Sequence, residues 1–194
     1  MTVIYNGNGL KPAFSTKHQS TTYTNWGYDL SNYEETTLHF RINYKPKTNR
    51  SSMYIRCYVD NDFSSTQFQF RHNRTYFYFS NTDGGANFSG NTYLYVNSFY
   101  ASKASSIVHH TCDLTLHNYA RDGKLWPVIH VRTDYIYSNQ DDTNKIAITE
   151  FNSGELYSSD SSHAVERIQF FLNNSATFEE FDLQAWQDGG LADG

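Results

Sequence analysis

The segment TTLHFRINY, residues 36–44, alternates without a break: Leu38, Phe40, Ile42 and Tyr44 fall on one side, His39, Arg41 and Asn43 on the other. A period of two fits a half-buried β-strand and no helix, whose faces repeat about every 3.6 residues. The same rhythm returns along the chain. MYIRCYV places Met53, Ile55, Cys57 and Val59 inward, and between Ile107 and Tyr119 the residues His110, Cys112, Leu114 and Leu116 share a side. TQFQFR, TYFYFS, NTYLYVNSF, LWPVIHVRTDYIY, KIAIT, VERIQFFL and FEEFDLQAW bring the expectation to roughly nine or ten strands. Only Ala164 to Leu172 is ambiguous with a helix. The 16 Tyr and 14 Phe suit strands, which favour aromatic side chains.

Between these runs His72-Asn73-Arg74 has the length of a hairpin turn, and Asp83-Gly84-Gly85 and Asp122-Gly123 are stronger turn signals. Pro127 has no N–H to give a ladder and belongs at a strand start or a bulge. The pattern predicts an all-β chain, a sandwich or barrel of antiparallel strands, in one domain over residues 26–187. Residues 1–25, rich in Ser, Thr, Asn and Gly, read as an extended N-terminal arm, and residues 188–194 as a flexible C-terminal tail.

Charge removes one class of partner. The formal net charge is −5 and no Lys/Arg cluster occurs, whereas nucleic acid demands a basic footprint; no nucleic-acid partner is expected. No apolar run approaches the ~18 residues of a membrane span, and MTVIYNGNGL reads as a cytosolic start, so no membrane partner is expected either. Cys57 and Cys112 sit on the apolar sides of their strands and are expected as buried free thiols. The sequons at Asn49, Asn73, Asn87 and Asn173 are as many as chance supplies in a chain this rich in Asn, Ser and Thr.

In HHTCDLTLH the polar side is His109, Thr111, Asp113, Thr115 and His117. Positions two apart on a strand stand roughly 7 Å apart, so His109 and His117 cannot share a metal unless a neighbouring strand, such as that of His130, helps. No HExxH, HxH or Cys/His ligand spacing occurs, and a solvent-facing polar surface is the simpler expectation. Asp60-Asn61-Asp62 and Asp141-Asp142-Thr143-Asn144 could offer loop oxygens to Ca²⁺, but neither continues into the Gly and Glu of a calcium loop. No cofactor is therefore expected, with Ca²⁺ the one ion left open. A glycosidase needs two carboxylates about 5–10 Å apart across a cleft. Glu34, Glu35, Glu150, Glu155, Glu166, Glu179 and Glu180 are the candidates, and neighbours such as Glu179 and Glu180 point to opposite faces. Without a nucleophile elbow, P-loop or dinucleotide fingerprint, no catalytic residue is assigned.

Rings on outer faces are more informative. Tyr54, Tyr58, Tyr93, Tyr95, Trp126 and Trp186 are the candidates for contact with a glycan or a neighbouring subunit, because an apolar body with a polar tip serves both. The competing explanation is a sheet buried on both faces.

The order of segments completes the reading. Trp26, Asp29-Leu30-Ser31-Asn32-Tyr33 and the strand from Leu38 to Tyr44 lead; Ile168-Gln169-Phe170, Asn173-Asn174-Ser175, Phe178 and Phe181-Asp182-Leu183-Gln184-Ala185-Trp186 close. From Trp26 to Trp186 the chain resembles the jelly-roll-like virion domains of tailed-phage tail fibres, receptor-binding heads and capsid-attached proteins. It departs at Ala176-Thr177, Glu179-Glu180 and Gln184-Ala185-Trp186, where that family usually has Gly, Gly-Ser and Leu-Tyr-Gly. The resemblance implies a jelly-roll-like sandwich sealed by a closing hairpin. It also implies a non-enzymatic structural protein, made in the host cytoplasm and carried in the virion as a tail appendage or capsid decoration. Self-assembly as a trimer, and docking of the 1–25 arm onto other virion proteins, follow from the same resemblance. The alternative is a carbohydrate-binding or lectin-like module for host surface glycans, and a glycan hydrolase or lyase ranks third.

Overall fold

The computed structural model describes residues 11–19, 23–33, 36–47, 51–58, 69–78, 82–97, 109–118, 127–138, 145–157 and 164–188. In chain order the strands are β1 (Lys11–Gln19), β2 (Asn25–Asp29), β3 (Thr37–Pro46), β4 (Met53–Tyr58), β5 (Gln69–Tyr78), β6 (Thr82–Asn91), β7 (Leu94–Tyr95), β8 (His110–His117), β9 (Val128–Ser138), β10 (Lys145–Tyr157), β11 (Arg167–Leu172) and β12 (Phe178–Gln187). No α-helix occurs among the described residues. An eight-stranded sheet has the order β1-β12-β3-β8-β9-β10-β5-β6, and a four-stranded sheet the order β2-β11-β4-β7. All pairings are antiparallel. The chain is the all-β antiparallel sandwich that its alternation predicted.

Burial follows the two-residue rhythm. Leu38, Phe40, Ile42 and Tyr44 from β3, Cys112, Leu114 and Leu116 from β8, and Phe181, Leu183 and Ala185 from β12 form the inner face of the large sheet. Met53, Ile55 and Cys57 from β4, with Ile168, Phe170 and Leu172 from β11, face them. Rings lock the layers together: Phe170 lies 6.4 Å from Phe40 and 5.9 Å from Phe181. Each such side chain contributes roughly 1.5–3 kcal/mol by leaving water.

At one end the filling turns polar. His110 stacks on Tyr44 at 4.7 Å and packs against Tyr135 at 4.9 Å, and Asn97 Nδ2 lies 3.3 Å from its Nδ1. Glu150, fully buried, accepts hydrogen bonds from Tyr135 Oη and Asn152 Nδ2, both at 3.3 Å. Thr133 Oγ1 donates to the Val96 carbonyl at 2.7 Å. A buried carboxylate and amide need such partners to be tolerated.

Cys57 and Cys112 are buried free thiols, as their positions predicted. Burial raises the pKa of Cys112 to about 12 and that of Cys57 further still. Because only the thiolate attacks, neither is expected to react with an aromatic disulfide reagent at mildly alkaline pH in native buffer, while both react in denaturant. Fast native labelling would contradict this packing.

Several expectations are corrected. Residues 11–19, read as part of an arm, are extended but belong to the large sheet: β1 pairs with β12 from Lys11 opposite Gln187 to Gln19 opposite Glu180, with a register shift between Pro12 and Phe14. Phe14 explains the docking, since it stacks on Tyr28 at 5.4 Å and meets Phe40 at 6.1 Å. Asp188, read as tail, is tied to β3 by its N–H to the Thr37 carbonyl at 3.0 Å and its carboxylate to His39 Nε2 at 3.0 Å. Among the described residues twelve strands occur, counting β1 and the two-residue β7, in keeping with the roughly nine or ten expected.

The closing pair is not a hairpin. β11 pairs with β2 and β4, whereas β12 pairs with β1 and β3. Between them Asn173–Ser175 makes a 3-10 turn in which Ser175 takes φ 56°. The chain arches from one sheet to the other, and both Phe170 and Phe178 reach the core. His72-Asn73-Arg74 is no turn either: β5 runs straight through it, held by β10 and β6, with Asn73 opposite Ser153 and Asn87. Likewise Asp83-Gly84-Gly85 lies inside β6, opposite Phe77, Tyr76 and Thr75. Backbone partners on both sides of β5 outweigh the local turn preference.

Candidate functional site

In the four-stranded sheet β4 lies between β11 and β7, so their outward side chains share one surface. β11 offers Arg167, Gln169 and Phe171, β4 offers Tyr54, Arg56 and Tyr58, and β7 offers Tyr95, with Tyr93 just ahead of it. Register sets Phe171 opposite Tyr54 and Tyr54 opposite Tyr95. The rings converge: Tyr54 lies 4.9 Å from Tyr93 at 65°, 5.0 Å from Tyr95 at 62° and 5.4 Å from Phe171. Tyr93 meets Tyr95 edge-on at 5.6 Å. The Arg56 guanidinium lies 4.3 Å from the centre of the Phe171 ring. Edge-to-face pairs contribute about 0.5–1.5 kcal/mol each beyond buried area, so the four rings hold one another in place. Burial, helped by Tyr93, raises the pKa of the Tyr54 hydroxyl, which stays a neutral donor.

Three of the six rings singled out in the sequence, Tyr54, Tyr93 and Tyr95, are thus brought together. Tyr58 is on the same face but is not an exposed contact ring, being only 7% exposed. Arg167 lies 4.7 Å from its ring centre, and its hydroxyl donates to Gln169 Oε1 at 2.7 Å. Gly27 of β2 makes room for that arginine, since a Cβ there would meet Arg167 Nε at 3.1 Å. Trp186 lies on the other side of the molecule, outward from β12 and opposite His39. Trp126 falls outside the described residues, as do Asp60-Asn61-Asp62 and Asp141-Asp142-Thr143-Asn144. The sequence reading missed Phe171 and Arg56. Parity was the available signal: with Phe170 inward, Phe171 must point out.

The outer face of the eight-stranded sheet is different in character. Arg41 clasps Asp113 through Nε at 2.8 Å and a second nitrogen at 3.3 Å. Arg132 pairs with Asp134 at 3.0 Å. His130 does stand on the strand beside β8, and its ring lies 5.7 Å from that of His117. His117 has a lowered pKa, first from burial and then from His130 and His39. No set of three His, Cys, Asp or Glu side chains among the described residues could hold a metal. Glu150, considered for a glycosidase pair, is sealed in the core.

No protein-family model matches the chain, and no curated protein or solved structure matches it either.

Proposed function

We propose that this chain is a non-enzymatic virion protein of a tailed phage, made in the host cytoplasm, that assembles into a trimer through the outer face of its four-stranded sheet. The observation that carries the reading is the cluster of Tyr54, Tyr93, Tyr95 and Phe171 with Arg56 beside it. A solvent-facing sheet usually alternates to polar side chains, whereas Tyr and Arg in a preordered patch are the residues that anchor protein interfaces. The rings stand at steep angles to one another, which suits interlocking with another protein surface better than flat stacking. The order of segments between Trp26 and Trp186 supports the virion assignment, as a tail appendage or capsid decoration. Burial of Glu150 favours a gripping role over hydrolysis.

Sedimentation equilibrium of the purified chain at micromolar concentration tests the assembly. A trimer is expected. The double variant Tyr54→Ala with Phe171→Ala should weaken it at least about thirtyfold, the effect of losing an interface anchor of ~2 kcal/mol. A wild-type chain that stays monomeric, or a variant that assembles as tightly, refutes the interface.

A further inference from the structure

Among the described residues two large hydrophobic side chains are exposed, Tyr23 and Phe151, and Phe151 lies on the outer face of the eight-stranded sheet. Its ring is 42% exposed, although the residues flanking it along β10 on that face, Thr149 and Ser153, and Arg132 opposite it on β9 are polar. Register sets Phe151 opposite Arg132 and Arg132 opposite Asp113; one row over, Ser153 faces His130 and His130 faces Thr115. These six positions form two rows of three across β10, β9 and β8, a grid of roughly 10 Å by 7 Å from strand spacing and rise. They line a depression of about 460 Å³, within the ~300–1,000 Å³ typical of small-molecule sites.

The chemistry of the grid narrows the ligand. Asp113 is neutralised by Arg41 and Arg132 by Asp134, so two cations and two anions cancel. Among the described side chains an anionic ligand finds no unpaired cation here, and a wholly apolar one would strip water from charged groups and give nothing back. Yet a carboxylate has more lone pairs, and a guanidinium more N–H groups, than one ion pair consumes. What fits is a neutral molecule with donors and acceptors crowded along its edge and a C–H face for the ring. We propose that this depression binds a neutral pyranose unit of a polysaccharide. The sugar's C–H face lies on Phe151, and its hydroxyls bond to Asp113, Arg132, Thr115 and Ser153. The site is on the opposite side of the sandwich from the aromatic cluster, so it does not depend on the assembly interface.

Titration of the ¹⁵N-labelled full-length chain with the methyl pyranosides of glucose, galactose, mannose and N-acetylglucosamine, followed by NMR, tests this. At least one is expected to shift the amides of residues 113–115, 130–132 and 151–153 with millimolar affinity, because the depression is shallow. Phe151→Ala should weaken that binding about tenfold or more. Phe151→Tyr, which keeps the ring, should retain it, and Asp113→Asn should weaken it several-fold. Three outcomes overturn the proposal: no shift with any of the four sugars at tens of millimolar, shifts that survive Phe151→Ala in a folded protein, or shifts only with sialic acid or another anionic sugar run in parallel. Concentration-dependent self-association that Phe151→Ala abolishes, without sugar binding, would assign the face to a second copy and overturn it as well.

Discussion

Replacing Phe170 by alanine is expected to lower the free energy of unfolding by about 3–5 kcal/mol, the range for deleting a fully buried aromatic ring. Phe170 is 0% exposed at the centre of the small sheet, where β11 is flanked by β2 and β4. Its ring touches three others, Tyr28 at 6.2 Å, Phe181 at 5.9 Å and Phe40 at 6.4 Å, the last two across the layer boundary. The hole cannot collapse easily, because three of the strands that line it, β11, β12 and β3, are each fixed by pairing on both edges. Phe171→Ala, one position along, removes the same atoms from the outer surface, where the ring is half-buried against Tyr54, and should cost less than half as much. Urea unfolding of the two variants, followed by circular dichroism, makes the comparison. Equal costs would mean that the strand does not alternate as described.

Acid should destabilise the fold through His110. Burial holds its imidazole neutral, with a pKa lowered from 6.5 to about 3. Above pH 6.5 the ring is neutral in both native and unfolded chains, and its contribution is fully present. As pH falls toward 3, only the unfolded chain takes up the proton, so stability drops by up to about 1.4 kcal/mol per pH unit. The limit is about 5 kcal/mol, an amount comparable to the whole stability of many small domains. His110→Gln removes the titrating group from the enclave beside Tyr44, Tyr135 and Asn97. Its stability between pH 6.5 and 3 should fall less steeply than that of the wild type, by up to one proton's worth. Parallel curves would show that His110 is not buried neutral.

Much of this architecture was legible in single residues. Leu38, Phe40, Ile42 and Tyr44, or His110, Cys112, Leu114 and Leu116, declare their strands because the pleat forces alternate side chains into one layer. What alternation cannot state is which strand lies alongside. Asn173–Ser175 is a short break compatible with a hairpin or an arch, and only the pull of Phe170 and Phe178 into a shared core selects the arch. The same blindness explains the misplaced turn at residues 72–74, where β10, distant in sequence, keeps the strand straight, while residues 83–85 are held in β6 by their pairing with residues 75–77. At the aromatic surface, parity put Tyr54 and Tyr58 outward correctly. It did not reveal that Arg167 and Gln169, more than a hundred residues later, cover one of them. Phe151 and Phe171 escaped notice because a phenylalanine in an apolar run looks like core until its strand is seated.

The arch between β11 and β12 has a consequence for how the protein is made. β11 is an interior strand of one layer and β12 of the other, and their partners β1, β2, β3 and β4 are synthesised first. A ribosome must therefore release residues 167–187 before either layer can close, and until then early strands wait with open hydrogen-bonding edges. Such long-range closure is slow and invites wrong pairings during translation. Nascent chains stalled before residue 167 should remain protease-sensitive throughout, with protection arriving in a single late step.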